Sequence, residues 1–315
     1  MACVVDMTSK RDYAIGIVCL FVTAGCWGFV ASTVKRLTTT VDPYTISFFR
    51  VSLATVVFVI LFAIQKRDWQ RIRWYLPWII IGALGRAGNY LLYNSGLVLL
   101  PSNAATILAP VQTISVILLA KWMLGESVRT RWLGLGLSLS GLLLIWWNGQ
   151  GWKTLIEPRY CEGNTLLVLA GVASAFQFCS QKVLSPRLSS LEILIPVFGW
   201  STLITLFFAC GCTPSARIGD LGQPYAPATW LLLLFLGLVL TGGSFLFLAE
   251  GYKRCAATTA VVITNTTILW TLIWSHHLLQ EWVSAIMVIG ALLGVAGAVA
   301  VIETDRRAIG GRAKA

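Results

Sequence analysis

Long apolar runs, parted by short polar breaks, follow one another along this chain from end to end. A bilayer-crossing helix needs about 20 mostly apolar residues. Runs of that kind occupy 13–34, 44–64, 76–97, 103–124, 132–148, 163–183, 193–212, 228–249, 256–279 and 283–302. The pattern predicts ten transmembrane helices. The breaks carry turn chemistry: Asp42-Pro43 opens the second helix, Pro101-Ser102-Asn103 parts the third from the fourth, and 211–227 is a polar loop rich in Gly and Pro. Loops this short make neighbouring helices antiparallel. The predicted fold class is an all-α integral membrane protein.

Composition agrees. Residues of the set AVILMFWYC make up 57% of the 315 residues and charged residues 12%, the latter about half the ~25% of soluble domains. Mean hydropathy is +0.77. Disorder, a secreted disulfide scaffold and an ordinary cytosolic enzyme are excluded, because a soluble fold cannot hide that much apolar surface. The net charge of +11 does not point to nucleic acid, since the charges flank the apolar runs. With the N-terminus inside, 17 of the lysines and arginines fall in cytoplasmic segments. Only Lys35, Arg36, Lys153, Arg159 and Arg217 fall outside, which predicts an inner- or plasma-membrane protein with both termini cytoplasmic. The first run lacks a small-residue cleavage site and reads as a retained helix. Cys161, Cys210 and Cys212 fall on one side of the membrane, without a spacing motif that marks a disulfide.

Self-comparison adds an internal repeat. At a shift of 155, Gly88 meets Gly243, Leu91 meets Leu246, Gly96 meets Gly251, Ala105 meets Ala260, Leu124 meets Leu279 and Glu126 meets Glu281. One residue more pairs Gly134 with Gly290 and Gly141 with Gly297. A shift of 147 lays Phe29 on Phe176 and Lys35 on Lys182. The chain divides into two five-helix repeats, 1–155 and 156–315. Five is odd, so the second enters the membrane inverted. Inverted repeats mark alternating-access transporters whose substrate site lies near the midplane.

The segment Ala24-Gly25-Cys26-Trp27-Gly28, the pair Phe49-Arg50 after Asp42-Pro43, Pro110, the step Gly125-Glu126 and the span Gly134–Gly141 together resemble the drug/metabolite transporter superfamily, in particular its EamA-type members. The resemblance implies ten helices in two repeats and transport of small metabolites, often exported, with amino acids and their derivatives commonest. It also implies that an arginine at the place of Arg50 serves the architecture. The second half departs from the pattern: Asn265 stands where the first half has Pro110, Gln280 precedes Glu281, and helix seven has no counterpart of Arg50.

Charged residues inside a bilayer cost about 2.5–3.5 kcal/mol at a helix centre and face the bundle interior. Arg50, Arg86 and Glu250 are the candidates. Arg86 lies close to midplane in helix three, and Asn89, Tyr90, Tyr93 and Asn94 follow at i+3, i+4, i+7 and i+8, one helical face. That stripe predicts a wet cavity, with a structural interhelical network as the plainer option. Helix four adds Asn103, Thr106, Pro110 and Thr113; helix six adds Ser174, Gln177 and Gln181; helix nine adds Asn265, Thr266, Trp270 and Trp274. Trp27 closes the same space from helix one. Glu250, beside Lys253 and Arg254, is either a solvated ion-pair partner or a proton-coupling carboxylate. Glu126 and Glu281 end helices four and nine as structural residues, and helices five and ten, nearly devoid of polar groups, belong at the lipid-facing edge.

These observations define an expectation of a secondary transporter, not an enzyme. Its substrate is a small carboxylate- or phosphate-bearing metabolite anchored by Arg86. Asn89, Tyr93 and Asn94 add hydrogen bonds, and Tyr90, Trp27 and Trp270 form an aromatic wall. No cofactor, metal or nucleic acid is implied; lipid is the other partner, and the oligomeric state is monomer or dimer. A metabolite-gated channel or membrane sensor is the alternative, with an intramembrane enzyme third. His276, His277 and Glu281 lack the H-E-x-x-H spacing, no histidine lies at the depth of Ser244 to activate it, and Gly149–Thr154 is not a Walker A loop.

Overall fold

In a computed structural model the described residues are 10–65, 72–100, 108–126, 131–148, 157–211, 221, 223–280 and 282–312. They form ten rods: α1 (Lys10–Leu37), α2 (Pro43–Gln65), α3 (Leu76–Leu99), α4 (Leu108–Leu124), α5 (Trp132–Asn148), α6 (Pro158–Leu184), α7 (Ser190–Ala209), α8 (Pro227–Arg254), α9 (Ala257–Leu279) and α10 (Ala285–Arg312). By length and composition, 7 of them suffice to cross a membrane. Helix α3 is long enough, but its polar stripe lowers its hydropathy, and the described parts of α4 and α5 are shorter. Asn103, Thr106, Cys212, Glu281 and 149–154 lie outside the described residues.

Local chemistry sets the ends. The Asp42 carboxylate accepts from the Tyr44 and Thr45 amides at 2.9 and 3.0 Å, and Pro43 takes the first helical position, where its missing N–H costs nothing. Ser189 and Glu192 cap α7 reciprocally. Three rods are interrupted: α1 at Phe29, α9 between Thr264 and Thr267, and α8 by a π-helical stretch, Phe235–Gly243. Such stretches often sit at functional sites.

The two halves obey a pseudo-two-fold relation contact by contact. A Cβ on Gly16 would lie 2.9 Å from both Arg254 Cβ and Cys255 Sγ; one on Gly163, its counterpart, would meet Leu100 and Leu99. Gly251 lies against Leu20, and Gly96 against Leu167. The Lys35 ammonium donates to the Leu97 and Leu100 carbonyls at 2.8 and 2.7 Å, and Lys182 donates to the Tyr252 and Cys255 carbonyls, both at 2.6 Å. Each lysine thus satisfies carbonyls at the end of a helix of its own half. Both pairs match the shifts of 147 and 155. The fold is two inverted five-helix repeats.

Helices α5 and α10 pair along a glycine seam, Gly134 on Gly297 and Gly141 on Gly290, where backbones approach too closely for any side chain. Their outer faces expose Trp132, Leu133, Leu143, Ile289, Leu292 and Val299, apolar surface suited to lipid. At the face carrying both termini, Asp305 of α10 accepts from Tyr13, Thr259 and Arg131 at 3.2, 2.7 and 2.9 Å. Asp305 is thereby a buried polar anchor just beyond the apolar run 283–302. Cys161 and Cys210 are free thiols.

Candidate functional site

A cavity of about 720 Å³, its open mouth included, lies between the halves. Helices α1, α2, α3, α4, α6, α8 and α9 all contribute to its wall. Arg50, Arg86, Asn89, Tyr90, Tyr93, Gln112 and Ser174 form its polar side; Trp27, Phe178 and Phe245 form most of its aromatic side. The depths of these residues run from the middle of the bundle toward the face opposite the termini.

Arg86 sits at the cavity's inner end, buried to 2% exposure. Aromatic faces surround its guanidinium: the carbon Cζ stands 4.0 Å from the Phe245 ring centre, 5.0 Å from Tyr90 and 5.6 Å from Phe198. Its Nε and Nη2 have no hydrogen-bond partner among the described residues. Burying donors of a charged group in that way costs several kcal/mol unless something pairs with them. The Tyr90 hydroxyl is unpartnered too. Arg50 also lies against Tyr90, its Cζ 4.0 Å from the ring centre. Its Nε donates to Thr241 Oγ1 at 2.9 Å, and the π-helical stretch of α8 carries that threonine. Neither arginine forms an ion pair among the described residues.

The remaining sequence candidates divide. Trp27 lines the cavity, its indole donating to Ser244 Oγ at 3.0 Å, and Asn89 lines it while donating to the Ala170 carbonyl at 2.9 Å. Asn94, Thr113, Gln177, Asn265, Trp270 and Glu250 are not in the wall. Asn94 donates to Ser47 at 2.8 Å and Asn265 to Thr113 at 2.7 Å, both tying helices together. Gln177 donates to Gln181 at 2.7 Å. Trp270 is 40% exposed and packs on Gly28 of α1. Glu250 pairs with Arg254 and accepts from Ser190 at 2.5 Å, near the termini face. Sequence reasoning missed Gln112, Phe178, Phe245, Thr267 and Thr271. Gln112 lies one residue from Thr113, on a neighbouring angle of the same helix, and the two phenylalanines carry no polar signal.

Below Arg86 the structure is closed. Phe178 stacks on the fully buried Tyr252, ring centres 5.4 Å apart. Farther out, the Glu126 carboxylate at the end of α4 accepts from the Ala257 and Thr258 amides at 2.8 and 3.2 Å and from the Thr258 hydroxyl at 3.0 Å. This first-half carboxylate caps the start of second-half α9, whose own preceding residue, Ala256, has no capping side chain.

A cavity with a buried cation, set between inverted repeats of apolar helices, defines the class of membrane transporters. The model of the EamA-like transporter family matches residues 14–147 and 162–302, and the chain belongs to that family. It is 29% identical over 311 residues to an uncharacterized inner membrane transporter, YhbE, of Escherichia coli K12, covering 92% of this chain and 91% of that protein. An uncharacterized transporter of Haemophilus influenzae is 23% identical over 272 residues, 85% of each. A solved crystal structure matches with a TM-score of 0.73 at 18% identity, covering 93% of this chain and 98% of that one, which shows the fold.

Proposed function

We propose that this membrane transporter is a secondary carrier working by alternating access, exporting small carboxylate-bearing metabolites, either amino acids or related organic anions. The observation that carries this is Arg86: a buried guanidinium with two idle donors at the inner end of a cavity between inverted halves. A substrate carboxylate would satisfy both nitrogens in the forked geometry that suits arginine. Asn89 and Tyr93 supply further hydrogen bonds, and Trp27 and Tyr90 an aromatic wall. With both termini in the cytoplasm, as the lysine and arginine asymmetry favours, the closed face is cytoplasmic and the cavity faces outward. Rocking about the pseudo-two-fold would close it and open the other face.

Two measurements test this. A thermal-shift screen of the purified chain against amino acids, nucleosides and organic anions should yield a carboxylate that stabilises the wild type and not Arg86→Ala. A ligand binding only the folded state contributes about 2.7 kcal/mol at a hundredfold its Kd. In proteoliposomes that ligand should then show saturable counterflow. Linear, non-saturating flux would instead mark a channel, and hits unchanged in Arg86→Ala would remove Arg86 from the site.

A further inference from the structure

Resting on the carrier reading above, the wall of the cavity also narrows the charge type of the substrate. Arg50 and Arg86 are the charged side chains in that wall, and no carboxylate joins them among the described residues. An amino acid brings an α-ammonium as well as a carboxylate, and a buried ammonium needs either a counter-charge or several oxygen acceptors. The wall offers no counter-charge among the described residues, and its neutral oxygens face two guanidiniums. Glu250 is outside the wall and already held by Arg254 and Ser190. The Thr267 and Thr271 hydroxyls spend their protons on backbone carbonyls at 2.8 and 3.0 Å, and Gln112 Oε1 already accepts from Ser174 at 2.9 Å, so these groups offer an ammonium only the lone pairs of neutral oxygens.

The other device for holding an ammonium is a cage of aromatic faces. Here much of that surface is taken: Phe245 and Tyr90 lie against Arg86, and Tyr90 against Arg50, which leaves Trp27 and Tyr93 short of a cage. A substrate ammonium would compete with two guanidiniums for Phe245 and Tyr90 and be repelled by both. A carboxylate meets the reverse situation, since the idle groups at the inner end, Arg86 Nε and Nη2 and the Tyr90 hydroxyl, can all donate to it. We infer that this cavity takes net-anionic organic acids with an apolar body, held by their carboxylate on Arg86, and discriminates against zwitterionic amino acids.

Three probes isolate the charge because they share a phenyl ring and chain length: 3-phenylpropionate, phenylalanine and phenethylamine. Binding is measured by calorimetry on the purified full chain in nanodiscs. The expected order is 3-phenylpropionate first, tighter than phenylalanine by about tenfold or more, as befits an unpaired buried charge, with phenethylamine weakest. Arg86→Lys should keep the order at lower affinity, and Arg86→Met should abolish the preference. Gln112→Glu retains an oxygen for Ser174, adds the missing carboxylate and should move phenylalanine and phenethylamine ahead. Equal or tighter binding of phenylalanine to the wild type, binding of none of the three, or an unchanged order in Arg86→Met overturns the inference. Counterflow separates it from the carrier reading. Tight 3-phenylpropionate binding without counterflow keeps the ligand class and sinks the carrier, whereas phenylalanine counterflow at the rate of 3-phenylpropionate does the opposite.

Discussion

Removing the Glu126 carboxylate should loosen one end of α9 without touching the cavity. In the structure this side chain replaces a missing cap: Ala256 cannot accept a hydrogen bond, and the amides of Ala257 and Thr258 donate to a carboxylate from the other half. Loss of a helix cap costs about 0.5–2 kcal/mol, and hydrogen bonds to charged groups contribute about 1.5–3 kcal/mol. Glu126 is half-exposed, so water partly replaces what Glu126→Ala removes. We take about 1.5 kcal/mol, which is roughly tenfold in a local opening equilibrium. Every residue of Ala257–Thr264 is buried, so the amides of this segment exchange slowly while the face stays shut. Hydrogen-exchange mass spectrometry should show their protection falling about tenfold in Glu126→Ala, with peptides from α5 and α10 unchanged as the internal standard. Glu126→Gln, which keeps one acceptor oxygen, should fall in between. Protection within twofold of wild type would refute the claim that the inter-half cap holds this face closed.

Two further outcomes follow from close packing and buried charge. A Cβ at Gly141 would overlap the Gly290 carbonyl, whereas nothing approaches within 4 Å of one at Gly25. Gly141→Ala should therefore cost about 1–3 kcal/mol and lower the melting temperature in detergent, while Gly25→Ala leaves it unmoved. Lys182 is 2% exposed and Lys35 half-exposed, although each bonds two equivalent carbonyls. Lys182→Met should thus destabilise by about 1–3 kcal/mol more than Lys35→Met, because its orphaned carbonyls cannot reach water; equal melts would contradict that asymmetry.

Sequence alone determined the solvent, the helices and the inverted repeat, and it placed Arg86, Asn89, Tyr90 and Tyr93 on one face. Each of these rests on periodicity and composition, which survive without knowledge of neighbours. Which part of a polar face borders the cavity was settled only by tertiary structure. Asn94 and Asn265 belong to the same polar stripes as the wall residues, yet their amides bond Ser47 and Thr113, because the side chain facing a neighbouring helix depends on that helix's register. Phe178 and Phe245 were illegible for the opposite reason: in a bilayer, lipid and protein core are equally apolar, so an inward phenylalanine reads like an outward one. Trp270 packs on the close approach at Gly28 and stays 40% exposed instead of turning inward. The free donors of Arg86, on which the functional proposal rests, come from a packing that puts aromatic faces around the guanidinium and, among the described residues, no carboxylate in reach.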